Sequence, residues 1–466
     1  MVRACSWWLE PFSPADLRER HLTCDERSAR EQRTRNQPVR RRKRRVAYRG
    51  QSDWGRWHVK NVWILNHYAQ EPGGAGGTRH YSLARHLLKH GWQSSVIAAS
   101  VELNTGRQRL ADGERTRISD FDGIPFLWVR TPQYEGNGGG RMGNMLTYAA
   151  RVLLPGVTKG LERPDVIVGS SVHPFAAWSG SVLARRLRVP FVFEVRDLWP
   201  QTLVDLGRLQ EQNLITKVLR KLEKWLYVRA DRIVVLLPQA DEYIVPLGVP
   251  KRKIVWIPNG VELEGYPEPT QPLIHDGFTL MYFGAHGQAN GLDCVLRAMA
   301  ELQERPDMRH VRLRMIGDGP LKPSLLKLAE ELQLRNVEFA DPVPKREIPA
   351  VAAEADAFVF NLIDAPVFQY GISSNKLFDF LAGARPIIFC CKSSNNPVAD
   401  AHAGITVLPG DPLALSQAIA TLATMPAGDR NEMGRAGRAY VERNHSFDSL
   451  AARFAAMLKE LVAEYR

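Results

Sequence analysis

The sequence predicts an α/β protein made of two doubly wound, Rossmann-like domains in tandem, facing each other across a cleft. Three observations predict it. From Asn61 onward, short apolar runs alternate with amphipathic segments, the pattern of parallel strands covered by helices. A Pro/Glu-rich stretch over 262–276 interrupts the alternation, and a second series of the same kind starts at Thr279. At 466 residues the chain exceeds what one hydrophobic core ordinarily serves. The expected division is a basic, disordered extension over 1–60, a first domain over 61–265, a second over 277–445, and a terminal helix over 446–466.

Taken in order, Val62-Trp-Ile-Leu65 reads as a strand, followed by a glycine loop. A helix then runs from Thr78 to His90 with Leu83, Leu87 and Leu88 on one face and Gly91 as its stop. Strands follow at 95–99, 126–129, 166–168, 191–195, 233–237 and 254–257. The second series places strands at 279–283, 311–316, 337–339, 357–360 and 386–389. Leu450, Phe454, Leu458 and Leu461 recur at helical spacing in the last segment, Phe447 to Tyr465.

The formal charge of +12 is concentrated at one end: residues 1–60 hold 16 Lys/Arg against 7 Asp/Glu. The run Arg40 to Arg45 could meet nucleic acid or an anionic membrane. It lacks periodic apolar structure, so it is read as a disordered arm, or as lying upstream of the true start, and no nucleic-acid partner is expected. The five cysteines show no metal-type spacing, and Cys390-Cys391 in an apolar run reads as buried thiol, in keeping with a reducing cytoplasm. No secretory signal and no run of about 18 apolar residues is found, so the expected location is cytoplasmic. Two segments could still dock on anionic lipid at the inner face of the plasma membrane: the apolar stretch 145–154 and the basic amphipathic helix over Lys217–Tyr227. The favoured reading of each is a helix packed on its own sheet with a solvated basic face.

The segment Tyr370 to Pro386 carries the most chemistry. Ser373 or Ser374 can cap a helix beginning near Asn375, and Gly383 and Pro386 end it. The first-turn N–H groups, the helix dipole and Lys376 would then converge on one place suited to a diphosphate. Asp379, one turn beyond Asn375, could accept hydrogen bonds from sugar hydroxyls. Other polar residues stand where strands end, the place ligands occupy in open parallel sheets. They are Asn66 and His67, His173, Arg196 and Asp197, Asn259, Gly284 and His286, and the Gly317-Asp-Gly-Pro320 turn with Lys322 beyond it. The loop before Thr78, with Gly76 and Gly77, could line a phosphate with backbone, or be a flexible turn. His173 reads as a hydrogen-bonded structural residue or as a catalytic group, and Arg196-Asp197 as a site pair or a local ion pair. The single Asp-x-Asp, Asp120-Phe-Asp122, sits in a polar turn, and no metal is expected.

These motifs, in this order over about 61–466, resemble the family 4 retaining glycosyltransferases of the GT-B fold. Within that family, Phe193-Glu-Val-Arg-Asp-Leu-Trp-Pro200 resembles the branch near the L-fucosamine transferases of bacterial O-antigen synthesis. The resemblance implies a terminal helix that crosses back to the first domain. It implies a UDP-sugar donor, a 6-deoxy-amino or N-acetylamino sugar, and no bound cofactor or metal. The implied acceptor is a glycan on a polyprenyl diphosphate. It also implies catalytic roles for Arg196, Asp197, Lys376 and His173. Donor contacts fall to Gly76, Gly77, Gly284, His286, Lys322, Ser373, Ser374, Asn375, Lys376 and Asp379. Typical members carry two glutamates separated by seven residues; here Gly371 and Asp379 stand at those positions. A UDP-sugar 2-epimerase and a non-catalytic glycan-binding descendant are the alternatives.

Overall fold

The computed structural model describes residues 59–73, 78–103, 105–134, 138–171, 173–267 and 277–465. All but the last two residues of the basic extension therefore lie outside the described residues, as do 268–276 of the break between the two series.

The first sheet has eight strands: β1 (Lys60–Leu65), β2 (Trp92–Ala99), β3 (Thr116–Phe121), β4 (Ile124–Val129), β5 (Val166–Ser171), β6 (Phe191–Val195), β7 (Arg232–Val235) and β8 (Ile254–Trp256). Their spatial order is β3-β4-β2-β1-β5-β6-β7-β8. The second sheet has six: β9 (Phe278–Phe283), β10 (Val311–Ile316), β11 (Val337–Ala340), β12 (Ala357–Asn361), β13 (Ile387–Cys390) and β14 (Gly404–Val407), in the order β11-β10-β9-β12-β13-β14. Every pairing is parallel except β3 with β4. Each sheet reverses its winding once, between β1 and β5 and between β9 and β12, so each offers a crevice at the carboxyl ends of those strands. The strand interiors are nearly continuous Val/Ile/Phe runs because both faces are covered.

Two strands escaped the sequence reading. β3 is an edge strand whose residues alternate between half-buried and exposed, and it turns into β4 through Asp122 and Gly123, at φ 54° and 80°. Positive φ at both central positions is the geometry of a tight hairpin, which Asp-Gly supplies. β14 spans only Gly404–Val407 and carries little pattern. The helix after the glycine loop is α-helical over Arg79–Leu87 and tightens to a 3₁₀ turn over Leu88–His90, which rotates Leu88 outward to 38% exposed rather than onto the predicted face. Gly91 stops it at φ 78°.

The terminal helix, Phe447–Tyr465, packs on the first sheet: Leu450, Phe454, Leu458 and Leu461 share a core with Val62, Ile64, Leu83 and Val168. The chain thus leaves the first domain at Pro258–Val261 and returns at His445–Phe447. The crossings lie side by side, joined by Val261 N–H to His445 O (3.0 Å) and Phe447 N–H to Val261 O (3.3 Å). Among the described residues no helix is long and apolar enough to cross a membrane.

Candidate active site

The switch point of the first sheet presents His67 at the end of β1 and His173 just past β5. Both are buried, with ring centroids 4.8 Å apart. His67 Nε2 lies 2.7 Å from Asn144 Oδ1, while neither ring nitrogen of His173 has a partner among the described residues. Desolvation pulls His67 down to about 3 and His173 well below its usual value, so both rings are neutral near pH 7. His173 thus makes no side-chain hydrogen bond to the protein among the described residues. It is a neutral imidazole with two unspent polar atoms at the sheet's crevice. Gly76 and Gly77 fall outside the described residues.

β6 delivers Glu194, Arg196 and Asp197. Arg196 and Asp197 are half-buried at the strand end, and no ion pair joins them among the described residues. Arg196 N–H donates to Ser171 Oγ at 3.2 Å. Desolvation pushes the Asp197 carboxyl up to about 6, against the opposing pull of Arg196. The ion pair of this strand is instead Glu194's, with Arg79 Nε at 3.0 Å and His80 Nε2 at 2.6 Å. His80 Nδ1 lies 2.8 Å from Asn66 Nδ2, an amide donor, so one proton on Nε2 completes both bonds and the ring is neutral. That agrees with desolvation lowering its pKa. Burial alone would raise Glu194, but the Arg79 guanidinium and the hydrogen bond from the neutral His80 oppose it and favour the carboxylate.

On the second domain the decisive helix spans Asn375–Ala382. Ser374 is its N-cap residue, yet no serine side chain caps it. Ser373 faces the other way: its Oγ accepts from Asn259 N–H at 2.8 Å and its carbonyl from Asn259 Nδ2 at 2.7 Å. The expected serine cap is thus spent on a staple between the domains, and the helix's first turn has no side-chain acceptor of its own. Lys376 reaches across to the end of β9. Its Nζ bonds Asn290 Oδ1, lies 3.1 Å from Tyr282 Oη, and sits over the rings of Tyr282 and Phe360 at 4.9 and 5.3 Å. Desolvation pulls this ammonium down to about 7. Asn361, at the end of β12, holds the same loop by donating to Asn290 O and Gly291 O at 2.8 and 2.9 Å.

Around Lys376 the backbone is tightly packed. Gly284 and Gly317 have φ of 144°, and a Cβ on Gly317 would lie 2.0 Å from Gly284 O. Lys322 Nζ stands 3.1 Å from Gly317 O and 3.3 Å from Asp341. Two of the predicted donor contacts are enclosed or already engaged within the protein. The His286 ring is fully buried between Tyr282 and Phe339, and desolvation, helped by Lys322, lowers it to about 4. The neutral ring keeps both nitrogens without a protein partner among the described residues. Asp379 is also committed: Lys345 Nζ lies 2.6 Å from Oδ1, and Tyr266 Oη donates to the same oxygen at 2.9 Å. Asn375 is exposed at the helix start.

Residues 74–260 match the Glycosyl transferase 4-like domain, and residues 277–425 match the Glycosyl transferases group 1 domain. The chain is a glycosyltransferase of the GT-B fold. It is 24% identical over 319 residues to the probable glycosyltransferase WbjE of Pseudomonas aeruginosa, covering 66% of this chain and 78% of that one. Among solved structures it is similar to the sucrose-phosphate synthase of Thermosynechococcus elongatus (16% identity, TM-score 0.66, 87% of this chain and 100% of that one). Anabaena HepE in complex with UDP shows 13% identity and a TM-score of 0.59, covering 86% of this chain and all of that one. WaaG, a glycosyltransferase involved in lipopolysaccharide biosynthesis, shows 15% identity and a TM-score of 0.59 over 85% and 99%. At these identities the structural likeness establishes the fold.

In this glycosyltransferase the absence of an acid at 371 is built into the backbone. Gly371 has φ 97° and ψ 177°, and a Cβ there would meet Pro238 Cδ at 2.5 Å and Asn395 Oδ1 at 2.9 Å. The first domain touches this loop directly, since Gln239 N–H donates to Tyr370 O at 3.1 Å. Gly371→Glu is therefore expected to lower stability by about 3 kcal/mol from backbone strain and overpacking, with no gain in transferase rate. Urea unfolding beside an activity assay checks both. Sequence reasoning missed Asn361, Tyr266, Lys345 and the partnership of Glu194 with Arg79 and His80. Only Glu194, a carboxylate inside an apolar strand, carried a signal: a buried charge demands a partner.

Proposed function

We propose that this glycosyltransferase moves a 6-deoxy-amino or N-acetylamino sugar from UDP to a hydroxyl of a glycan carried on a polyprenyl diphosphate, with retention at the anomeric carbon. The observation that carries the donor assignment is Lys376. Its ammonium is desolvated and held by neutral partners, at the switch point of the second sheet, on the uncapped first turn of a helix. A diphosphate is the counter-charge such a group lacks. HepE, of the same fold, has been captured with UDP and with UDP-glucose, which supports a uridine donor, and the likeness to WaaG, a glycosyltransferase involved in lipopolysaccharide biosynthesis, supports surface polysaccharide as the product's destination.

In this reading Lys376 and Arg196 stabilise the negative charge that develops as the nucleoside diphosphate departs. The attacking hydroxyl approaches the face the diphosphate leaves and passes its proton to the leaving phosphate. Asp197 orients that hydroxyl, and the neutral His173 hydrogen-bonds the transferring sugar. Glu194 and Asp379 are both tied in ion pairs and are not available as nucleophiles. Trapping a covalent glycosyl-enzyme would overturn front-face displacement. Donor binding is assigned to side chains and backbone, with no resident metal.

Calorimetric titration with UDP, ADP and GDP, with and without magnesium, tests the donor. Selective UDP binding is expected. No nucleotide binding at all would favour a non-catalytic glycan-binding role, and UDP-sugar turnover without acceptor would favour an epimerase. Because a bound diphosphate favours the charged ammonium, Lys376 must take up a proton on binding above pH about 7. UDP affinity should therefore fall as pH rises through 7–9, and the heat of binding should differ between phosphate and Tris buffers.

A further inference from the structure

The helix Leu214–Arg229, between β6 and β7, is only half covered. Thr216, Leu219, Glu223, Leu226 and Tyr227 face the sheet. On its other side Leu214 (74% exposed), Val218 (56%), Trp225 (42%) and Val228 (58%) follow one another at spacings of four, seven and three residues, so they form one outward stripe. Lys221 fills the gap in that stripe, and Lys217, Lys224 and Arg229 flank it, all exposed. The helix's single acid, Glu223, is turned inward, where Tyr243 Oη donates to it at 3.0 Å. The outward face is thus apolar and uniformly cationic. At its far end Lys253 Nζ donates to Ala230 O at 2.7 Å, which adds another cation.

We infer that this face docks on an anionic lipid bilayer. Charge complementarity selects that occupant. A second copy of the chain would set lysines against lysines, and a helical partner would need an unbroken apolar seam, which Lys221 interrupts. A bilayer accepts Trp and aliphatic side chains into its interface while its phosphates meet the lysines around them. The other segment that sequence reading left open is less suited: the helix Gly139–Arg151 exposes one large apolar side chain, Leu146, and one cation, Arg151.

Topology says what docking achieves. A helix linking two parallel strands runs antiparallel to them, so Leu214 lies toward the carboxyl edge of the sheet, where Arg196 and Asp197 emerge. Contact there brings the cleft to the membrane surface, where a lipid-linked acceptor resides. The docking itself does not depend on which nucleotide is bound.

The test is sedimentation of the full chain with vesicles of phosphatidylcholine containing about one third phosphatidylglycerol, against phosphatidylcholine alone. UDP affinity and the thermal midpoint are read on each variant. The wild type should bind only the anionic vesicles. Lys217→Glu, Lys221→Glu and Lys224→Glu together should weaken binding about a hundredfold, roughly fivefold for each lysine. Val218→Asp with Trp225→Ala should weaken it at least about tenfold. UDP affinity should be unchanged in both. Vesicle binding that persists in both variants would overturn the proposal and assign lipid contact to the basic 1–60 extension. A concentration-dependent dimer that these variants dissociate, without vesicle binding, would overturn it in favour of self-association.

Discussion

Lys376→Met should abolish measurable UDP binding while raising the thermal midpoint of the unliganded protein. The loss follows from the site: the ammonium stands at the switch point of the second sheet, His286 is neutral and buried, and Lys322 is held by Gly317 O and Asp341. Removing one side of a desolvated charge pair costs about 2–5 kcal/mol of binding, or upward of about thirtyfold in Kd. The gain in stability follows from the same desolvation. In the folded protein the lysine titrates near 7, against about 10.4 in an unfolded chain. Between those values the unfolded state binds more protons, so the penalty is full below pH 7 and fades as pH rises toward 10. The midpoint should accordingly rise by several degrees at pH 6 and hardly at all near pH 10. Methionine keeps the apolar stem over Tyr282 and Phe360, so a fall in midpoint at pH 6 would show that the ammonium's contacts with Asn290 and Tyr282 outweigh its desolvation.

That opposition between stability and binding explains which parts of the site could be read from the chain. Strand positions were legible because parallel strands covered on both faces must be largely apolar, as residues 280–283 of β9 and 357–360 of β12 are. The helix at 375 was legible because Gly383 and Pro386 punctuate it and Lys376 stands in its first turn. What stayed hidden depends on partners distant in sequence. Ser373 looks like a cap until Asn259, 114 residues earlier, takes its hydroxyl. Asp379 looks free until Lys345 and Tyr266 close on it, and Tyr266 lies in a stretch whose composition reads as linker. Gly371 looks like a lost acid, but with Pro238 packed against it no side chain fits. His286 looks like a phosphate ligand because a loop histidine is ordinarily exposed, whereas here Tyr282 and Phe339 enclose it. Local pattern reports an element's period and ends. It does not report which polar groups another segment has already engaged.

Glu194→Ala should be among the most destabilising single changes in the protein, at about 3–5 kcal/mol, because it strands the Arg79 guanidinium in the core without its counter-charge. The effect should reach the active site along a short path. Arg79 also donates to Ile257 O at 2.9 Å and to Pro258 O, the carbonyls that lead into the first domain crossing. The next residue, Asn259, is the one that holds Ser373 at the head of the Lys376 helix. A loosened Arg79 should therefore weaken UDP binding even though Glu194 touches no ligand. Glu194→Gln tests charge against shape: its amide keeps one acceptor, but its NH₂ must face either Arg79 or the donating Nε2 of His80, so it should recover only part of the loss. The decisive comparison is the double variant Glu194→Leu with Arg79→Met. If the single-variant cost is the price of an unpaired buried charge, removing both members should restore most of the stability, since an apolar pair of similar volume is often as stable as the buried ion pair it replaces. UDP affinity should stay low in that variant, because the clamp on Ile257 and Pro258 has gone. Urea midpoints and UDP titrations on the three variants separate the two roles. Recovery of both quantities together would mean that Glu194 and Arg79 serve the core alone and that the crossing is held in place without them.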